Sequence, residues 1–132
     1  MSKVYAGPER RRFRRVPVDF IVIYQVNEPL VVKMSIGWDT EVEAMMLDLS
    51  EGGMAVLTNY YIPKDTVLSL RFTLVNLSLS DQEKIRMMRI VGNVRYAILI
   101  GNNEYRIGIC FTEISDSDKK AISDFVKLSP LA

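Results

Sequence analysis

Five arginines fall within six positions of this chain, in the run Glu9-Arg10-Arg11-Arg12-Phe13-Arg14-Arg15. Each carries a planar fork of N–H donors that fits a phosphate or the O6/N7 edge of a guanine, and a flat face that stacks on a base. Further along the chain reads Asp48-Leu49-Ser50-Glu51-Gly52-Gly53. In a strand, residues two apart project from one face, which sets the Asp48 carboxylate beside the Ser50 hydroxyl. The glycines that follow permit positive φ and close backbone approach. An arginine arm with an acid–hydroxyl–glycine turn suits capture of something anionic and planar. Each half also has an ordinary reading. Asp, Ser and Gly are common turn residues, and an arginine run can be a solvated tail that holds nucleic acid or acidic lipid loosely.

The residue inventory argues against an enzyme. There is no histidine, hence no general base of the usual kind at neutral pH and none of the commonest metal ligand. With one cysteine, Cys110, a zinc site would need carboxylates alone, which zinc does not favour. No disulfide can form within the chain, and the apolar alternation around Cys110 reads as that of a buried thiol. No metal or cofactor is expected.

The 132 residues, 48% apolar and 25% charged, describe one soluble globular domain able to bury a core without disulfides. Charge or glycine breaks each apolar stretch before eighteen residues, so no membrane span is expected. The opening residues lack the apolar region of a secretory signal, and the cytoplasm is the consistent compartment. The net charge of +1 conceals an asymmetry. Residues 1–15 hold six basic side chains against Glu9, net +5, while the remaining 117 hold 11 basic and 15 acidic, net −4. A basic arm on a mildly acidic body recruits an anion locally and argues against a nucleic-acid coat.

The elements that must position these groups are mostly strands. Val16, Val18, Phe20, Val22 and Tyr24 alternate as one face of a first strand, which Asn27-Glu28-Pro29 ends. Leu30–Ile36 and Glu41–Leu49 read as further strands, and Met54–Thr58 as the hairpin partner of the second. Leu68, Leu70, Phe72 and Leu74 face one way; residues 76–83 form a loop. Ile85–Ile100 is a long strand that bulges at Gly92. Tyr105, Ile107, Ile109 and Phe111 alternate again. Only the last segment has helical spacing: Ser115 and Asp118 make a variant capping box, and Ala121/Phe125 with Ile122/Val126 form an apolar stripe. Trp38, Tyr60 and Tyr61 are read as core, with a base-stacking platform or partner surface as the other options. Many short strands and one terminal helix predict a small antiparallel barrel with a helix packed on it.

Taken together, the two motifs resemble a known family. Arg11-x-x-x-Arg15, just before Val16-Pro17-Val18, resembles the first signature of PilZ domains, and Asp48-x-Ser50-x-x-Gly53 resembles the second. The closing Tyr105-Arg106-Ile107-Gly108-Ile109-Cys110-Phe111 before a short helix is also similar. The resemblance covers nearly the whole chain, although residues 27–39 and the 76–83 loop look longer than the family norm. It implies a mainly β fold, a six-stranded antiparallel PilZ-type barrel (residues 16–132) with a C-terminal helix and a flexible basic arm (residues 1–15). It also implies a non-enzymatic receptor for the bacterial second messenger cyclic di-GMP.

By the same resemblance, Arg11 and Arg15 clamp phosphates and guanine faces, Asp48 and Ser50 engage guanine or position an arginine, and Gly53 keeps the turn open to the ligand, with Gly52 beside it counted among the ligand-binding residues. An arginine in the place of Arg10 goes with uptake of a stacked pair of ligand molecules. Closure of the arm would then alter a surface for an unidentified downstream protein in motility, biofilm or exopolysaccharide control. Two alternatives stand beside this: a small barrel that binds single-stranded nucleic acid through the arm, and a PilZ-type adaptor that binds no nucleotide. The acidic body and the scarcity of aromatics outside the core pattern argue against the first. The intact motif argues against the second.

Overall fold

The computed structural model describes residues 13–129 except Asp81 and Glu83; Arg10 and Arg11 lie outside the described residues. Strands β1 (Val16–Pro17), β2 (Ile21–Glu28), β3 (Glu41–Ser50), β4 (Gly53–Thr58), β5 (Val67–Val75), β6 (Ile85–Gly101) and β7 (Glu104–Glu113) are joined by helix α1 (Leu30–Ile36) and followed by α2 (Asp116–Leu128). All pairings are antiparallel, in the order β1-β3-β2-β5-β6-β7-β4, and β4 returns to β3. The six longer strands therefore close a barrel.

The alternation expected from Val16 to Tyr24 is one strand broken in the middle. β1 and β2 lie end to end along the same edge of β3, Val16 opposite Leu49 and Ile21 opposite Met45. Between them, only single backbone bonds from Val18 N–H to Leu47 O and from Met46 N–H to Phe20 O hold the ladder. Val16, Val22 and Tyr24 point inward, joined by Met46, Leu49, Leu68, Leu70, Phe72, Met88, Ile107 and Ile109. The burial is the main stabilising term, at about 25 cal/mol per Å² of apolar surface.

Three sequence expectations are corrected. Leu30–Ile36 is a helix, not a strand. Its apolar residues fit both periods, but only Val32 is buried, with Ile36 one turn on packed against the core. Pro29 favours this outcome because its fixed φ suits a helix start while its missing N–H would spoil a central ladder. Lys33 N–H bonds the Pro29 carbonyl, and Gly37 ends the helix by bonding back to Lys33. Second, Trp38, Tyr60 and Tyr61 are exposed (62, 41 and 57%). That removes one sequence argument against nucleic acid and leaves the acidic body as the other. Third, Cys110 is exposed, because the inward places of β7 belong to Ile107 and Ile109.

α1 follows the far end of β2, and α2 packs at its start, where Phe20 and Phe125 lie 5.7 Å apart. The Ser115 side chain caps α2 by accepting the Asp118 N–H at 3.1 Å, and Arg86 ties the helix down through Asp118 Oδ1 at 2.7 Å. Inside the barrel the Tyr24 hydroxyl meets Thr58 Oγ1 at 2.8 Å. Burial pushes the Tyr24 phenol up to about 12, opposed by that bond. An unfolded chain ionises this tyrosine near pH 10, whereas the folded one holds the proton. Stability is thus fully present below about pH 10 and falls as pH rises toward 12, by about 2–3 kcal/mol. Urea titrations between about pH 9 and 12 should show that slope in the native chain and lose most of it in Tyr24→Phe.

Candidate functional site

The site begins where β3 bulges. Its pairing with β4 shifts register between Met46 and Asp48, which turns the Asp48 side chain toward the outside. On the other edge, Pro17 of β1 stands opposite Asp48, so Arg15, two residues earlier, is delivered to the same carboxylate. Arg15 Nη1 lies 2.9 Å from Asp48 Oδ1, and Arg106 Nη2, from β7, lies 2.9 Å from Oδ2. One carboxylate, each oxygen with its own arginine, therefore holds two guanidinium forks side by side.

Arg106 is fixed a second time, since its Nε donates to the Tyr96 hydroxyl at 3.2 Å. That bond and the Asp48 carboxylate, opposed by partial burial, raise the guanidinium pKa above its ordinary value. Tyr96 in turn lies against Gly108, its register partner on β7. Guanidinium groups carry five donors each. Arg15 gives one to Asp48 and Arg106 gives one to Asp48 and one to Tyr96, so both retain donors for a ligand.

Ser50 is buried, and its hydroxyl is used by the turn: it accepts the Gly52 N–H at 3.2 Å and donates to the Gly53 carbonyl at 3.3 Å. The sequence reading set it beside Asp48 as a ligand group; its observed bonds are those of a turn clamp. Neither Gly52 nor Gly53 has a positive φ, so the reason for glycine is close approach. A Cβ on Gly52 would stand 2.6 Å from the Phe13 ring, and one on Gly53 would collide with the Ile109 carbonyl oxygen. The arm residues that are described lie along this turn and α2. The Lys119 ammonium sits 5.7 Å over the Phe13 ring, and Arg14 Nη2 donates to the Ser129 carbonyl at 3.1 Å.

These groups line one open cleft of about 1090 Å³, roomy enough for a ligand above the usual small-molecule range. Arg15, Lys64, Arg95, Arg106 and Lys119 face it, against Asp48 and Glu51. A second hollow of about 670 Å³ beside Glu41, Arg71 and Arg89 contains none of the sequence-predicted residues. Five cations to two carboxylates give the larger cleft a surplus of positive charge, and Tyr96 and Phe13 line it with rings. Among the described residues no group of three or more His, Cys, Asp or Glu could hold a metal ion, and no helix is long and apolar enough to cross a membrane.

Arg15, Asp48, Ser50 and Gly52 line this cleft, while Gly53 does not line it and pairs with Ser50 behind it. Sequence reading missed Arg106 and Tyr96. A signal was present: where Tyr105, Ile107 and Ile109 alternate inward, Arg106 and Gly108 must face out.

Residues 9–128 match the PilZ domain profile. The chain belongs to the PilZ domain family. No curated protein matches it. Among solved structures it resembles the Bacillus subtilis inhibitor of motility MotI/DgrA, with TM-score 0.66 and 19% identity over 89% of this chain and 50% of that one. It also resembles the PilZ domain of Escherichia coli YcgR with c-di-GMP, with TM-score 0.60 and 12% identity over 89% of each chain. The K. pneumonia MrkH–c-di-GMP complex gives TM-score 0.59 and 17% identity, over 89% of this chain and 51% of that one. The chain thus spans about half the length of MotI/DgrA and MrkH. At such identities the likeness is one of fold: a PilZ barrel with its C-terminal helix.

Proposed function

We propose that this PilZ domain is a non-enzymatic receptor for cyclic di-GMP, held in the cleft floored by Asp48. The single observation that carries the reading is the Arg15–Asp48–Arg106 arrangement, two guanidinium forks set by one carboxylate at 2.9 Å each. A cyclic dinucleotide brings two phosphates and two guanines, and arginine meets both chemistries. PilZ relatives that carry c-di-GMP support the ligand's identity.

Each bidentate arginine–guanine contact contributes about 1–3 kcal/mol of discrimination, and a desolvated cation–π contact about 2 kcal/mol. Micromolar affinity needs about −8 kcal/mol, so several contacts must form together. Arg15 and Arg106 are two of them; Arg10 and Arg11 are proposed as others, the arm closing over the ligand and changing the surface offered to a downstream protein. Closure of this kind would also explain why so much arginine precedes β1.

Isothermal titration of the chain with cyclic di-GMP decides the reading. The expected result is saturable binding at about micromolar concentration, with cyclic di-AMP far weaker because adenine lacks the O6 acceptor. No saturable heat at tens of micromolar would overturn it. Binding that tolerates any single-stranded oligonucleotide and collapses with salt would instead support the nucleic-acid alternative.

A further inference from the structure

β6 outruns its neighbour. β5 accompanies it only as far as Asn93, opposite Val67, and the last backbone bonds on that side join Val94 to Asp65 and Thr66. From Arg95 to Gly101 the strand is paired with β7 alone. Among the described residues its other edge carries no backbone partner. An unpaired row of N–H and C=O groups is a template for another strand, and proteins commonly guard one with charge, proline or bulges.

This edge is poorly guarded. From Tyr96 to Asn103 there is no charge and no proline. Bulges interrupt the β7 pairing at Val94/Tyr96 and Leu99/Gly101, but Tyr96 to Leu99 run in regular register with Gly108 to Tyr105. Both faces are apolar and open: Ile98 and Leu99, adjacent in the regular stretch and so on opposite faces, are 51 and 60% exposed, and Ile100 at the bulge is 54% exposed.

We infer that this edge pairs with the same edge of a second copy of the chain, antiparallel about Ile98. A foreign strand would have to be apolar on both faces to match, and a second copy brings such a strand by construction. The two-fold arrangement sets Tyr96 opposite Ile100, Ala97 opposite Leu99 and Ile98 opposite itself. Arg95, the one charged residue of β6 from Arg95 to Gly101, comes opposite Gly101, so no like charges of the paired strands meet. The product is a continuous six-stranded sheet, β4, β7 and β6 from each copy, with an isologous interface. This goes beyond ligand binding and is independent of it, though Tyr96 belongs to both the cleft and the edge.

An interface of one strand pair is small, so the dimer should be a transient one. Sedimentation velocity on the whole chain, without nucleotide, over about 5 to 500 µM should show the mass rising from 15.1 kDa toward twice that. Ile98→Lys places two ammonium groups face to face and should weaken association at least about tenfold, with Leu99→Lys acting similarly. Both side chains are exposed, so thermal unfolding at low concentration should be unchanged and any loss of association is not loss of fold. A monomer throughout, or a dimer indifferent to both lysines, overturns the inference. So does a dimer that Val31→Lys on α1 abolishes and Ile98→Lys does not.

Discussion

Asp48→Ala should lower the affinity for cyclic di-GMP by about 100-fold and leave the barrel folded. The carboxylate is the common anchor of Arg15 and Arg106. Without it two guanidinium groups of like charge separate, and each then has to be ordered by the ligand itself. Losing the preset geometry of two contacts worth about 1–3 kcal/mol each is enough for two decades at about 1.4 kcal/mol per decade. The fold should barely notice. Both arginines are more than a third exposed, and pairs of that kind contribute about 0–1 kcal/mol. Asp48→Asn keeps one acceptor oxygen and should fall between, near tenfold. Arg15→Ala removes one fork and should also cost most of the binding. Titration calorimetry with parallel thermal unfolding checks the set, and an Asp48→Ala protein that binds normally would show that the cleft is not the site.

Gly53→Ala should cost about 2–3 kcal/mol of stability, the penalty of an overfilled core position, and lower the melting temperature by about 10 °C. The added Cβ meets the Ile109 carbonyl, main chain of the facing strand, at the Gly53–Cys110 pair that joins β4 to β7. Neither strand can yield without opening the barrel seam. Gly52→Ala is the control, since its obstacle is the edge of the Phe13 ring, a side chain that can turn away. That variant should lose about 1 kcal/mol or less. Differential scanning calorimetry separates the two, and equal losses would mean that Gly53 is not held by its neighbour's backbone.

Much of the fold is legible in the chain because strand alternation and barrel burial are the same fact written twice. Leu68, Leu70, Phe72 and Leu74 are all buried, and β6 runs from Ile85 to Gly101 with a register shift at Gly92. The end of strand structure after Val75 and the capped last helix follow equally simple rules. Legibility failed where two periods coincide, as in Leu30–Ile36, and where sequence cannot say how far a surface reaches, as for Trp38, Tyr60 and Tyr61. The site divides along the same line. Asp48 and Arg15 are visible because spacing along the chain brings each to the barrel's outer corner. Arg106 and Tyr96 come from strands far off in sequence, and only closure of the barrel shows that Arg106 reaches Asp48 and that Tyr96 holds Arg106 there.

The break between β1 and β2 has a mechanical consequence. Arg15 leads into a segment secured by two ladder pairs, Val16–Leu49 and Pro17–Asp48, whereas the barrel staves beyond it hold five or more each. Force applied at Arg15 is therefore spent on a short hinge before it reaches the main wall. Changes ahead of Arg15 therefore bear first on a two-pair seam and only then on the barrel wall, which separates tuning at that edge from durability of the body.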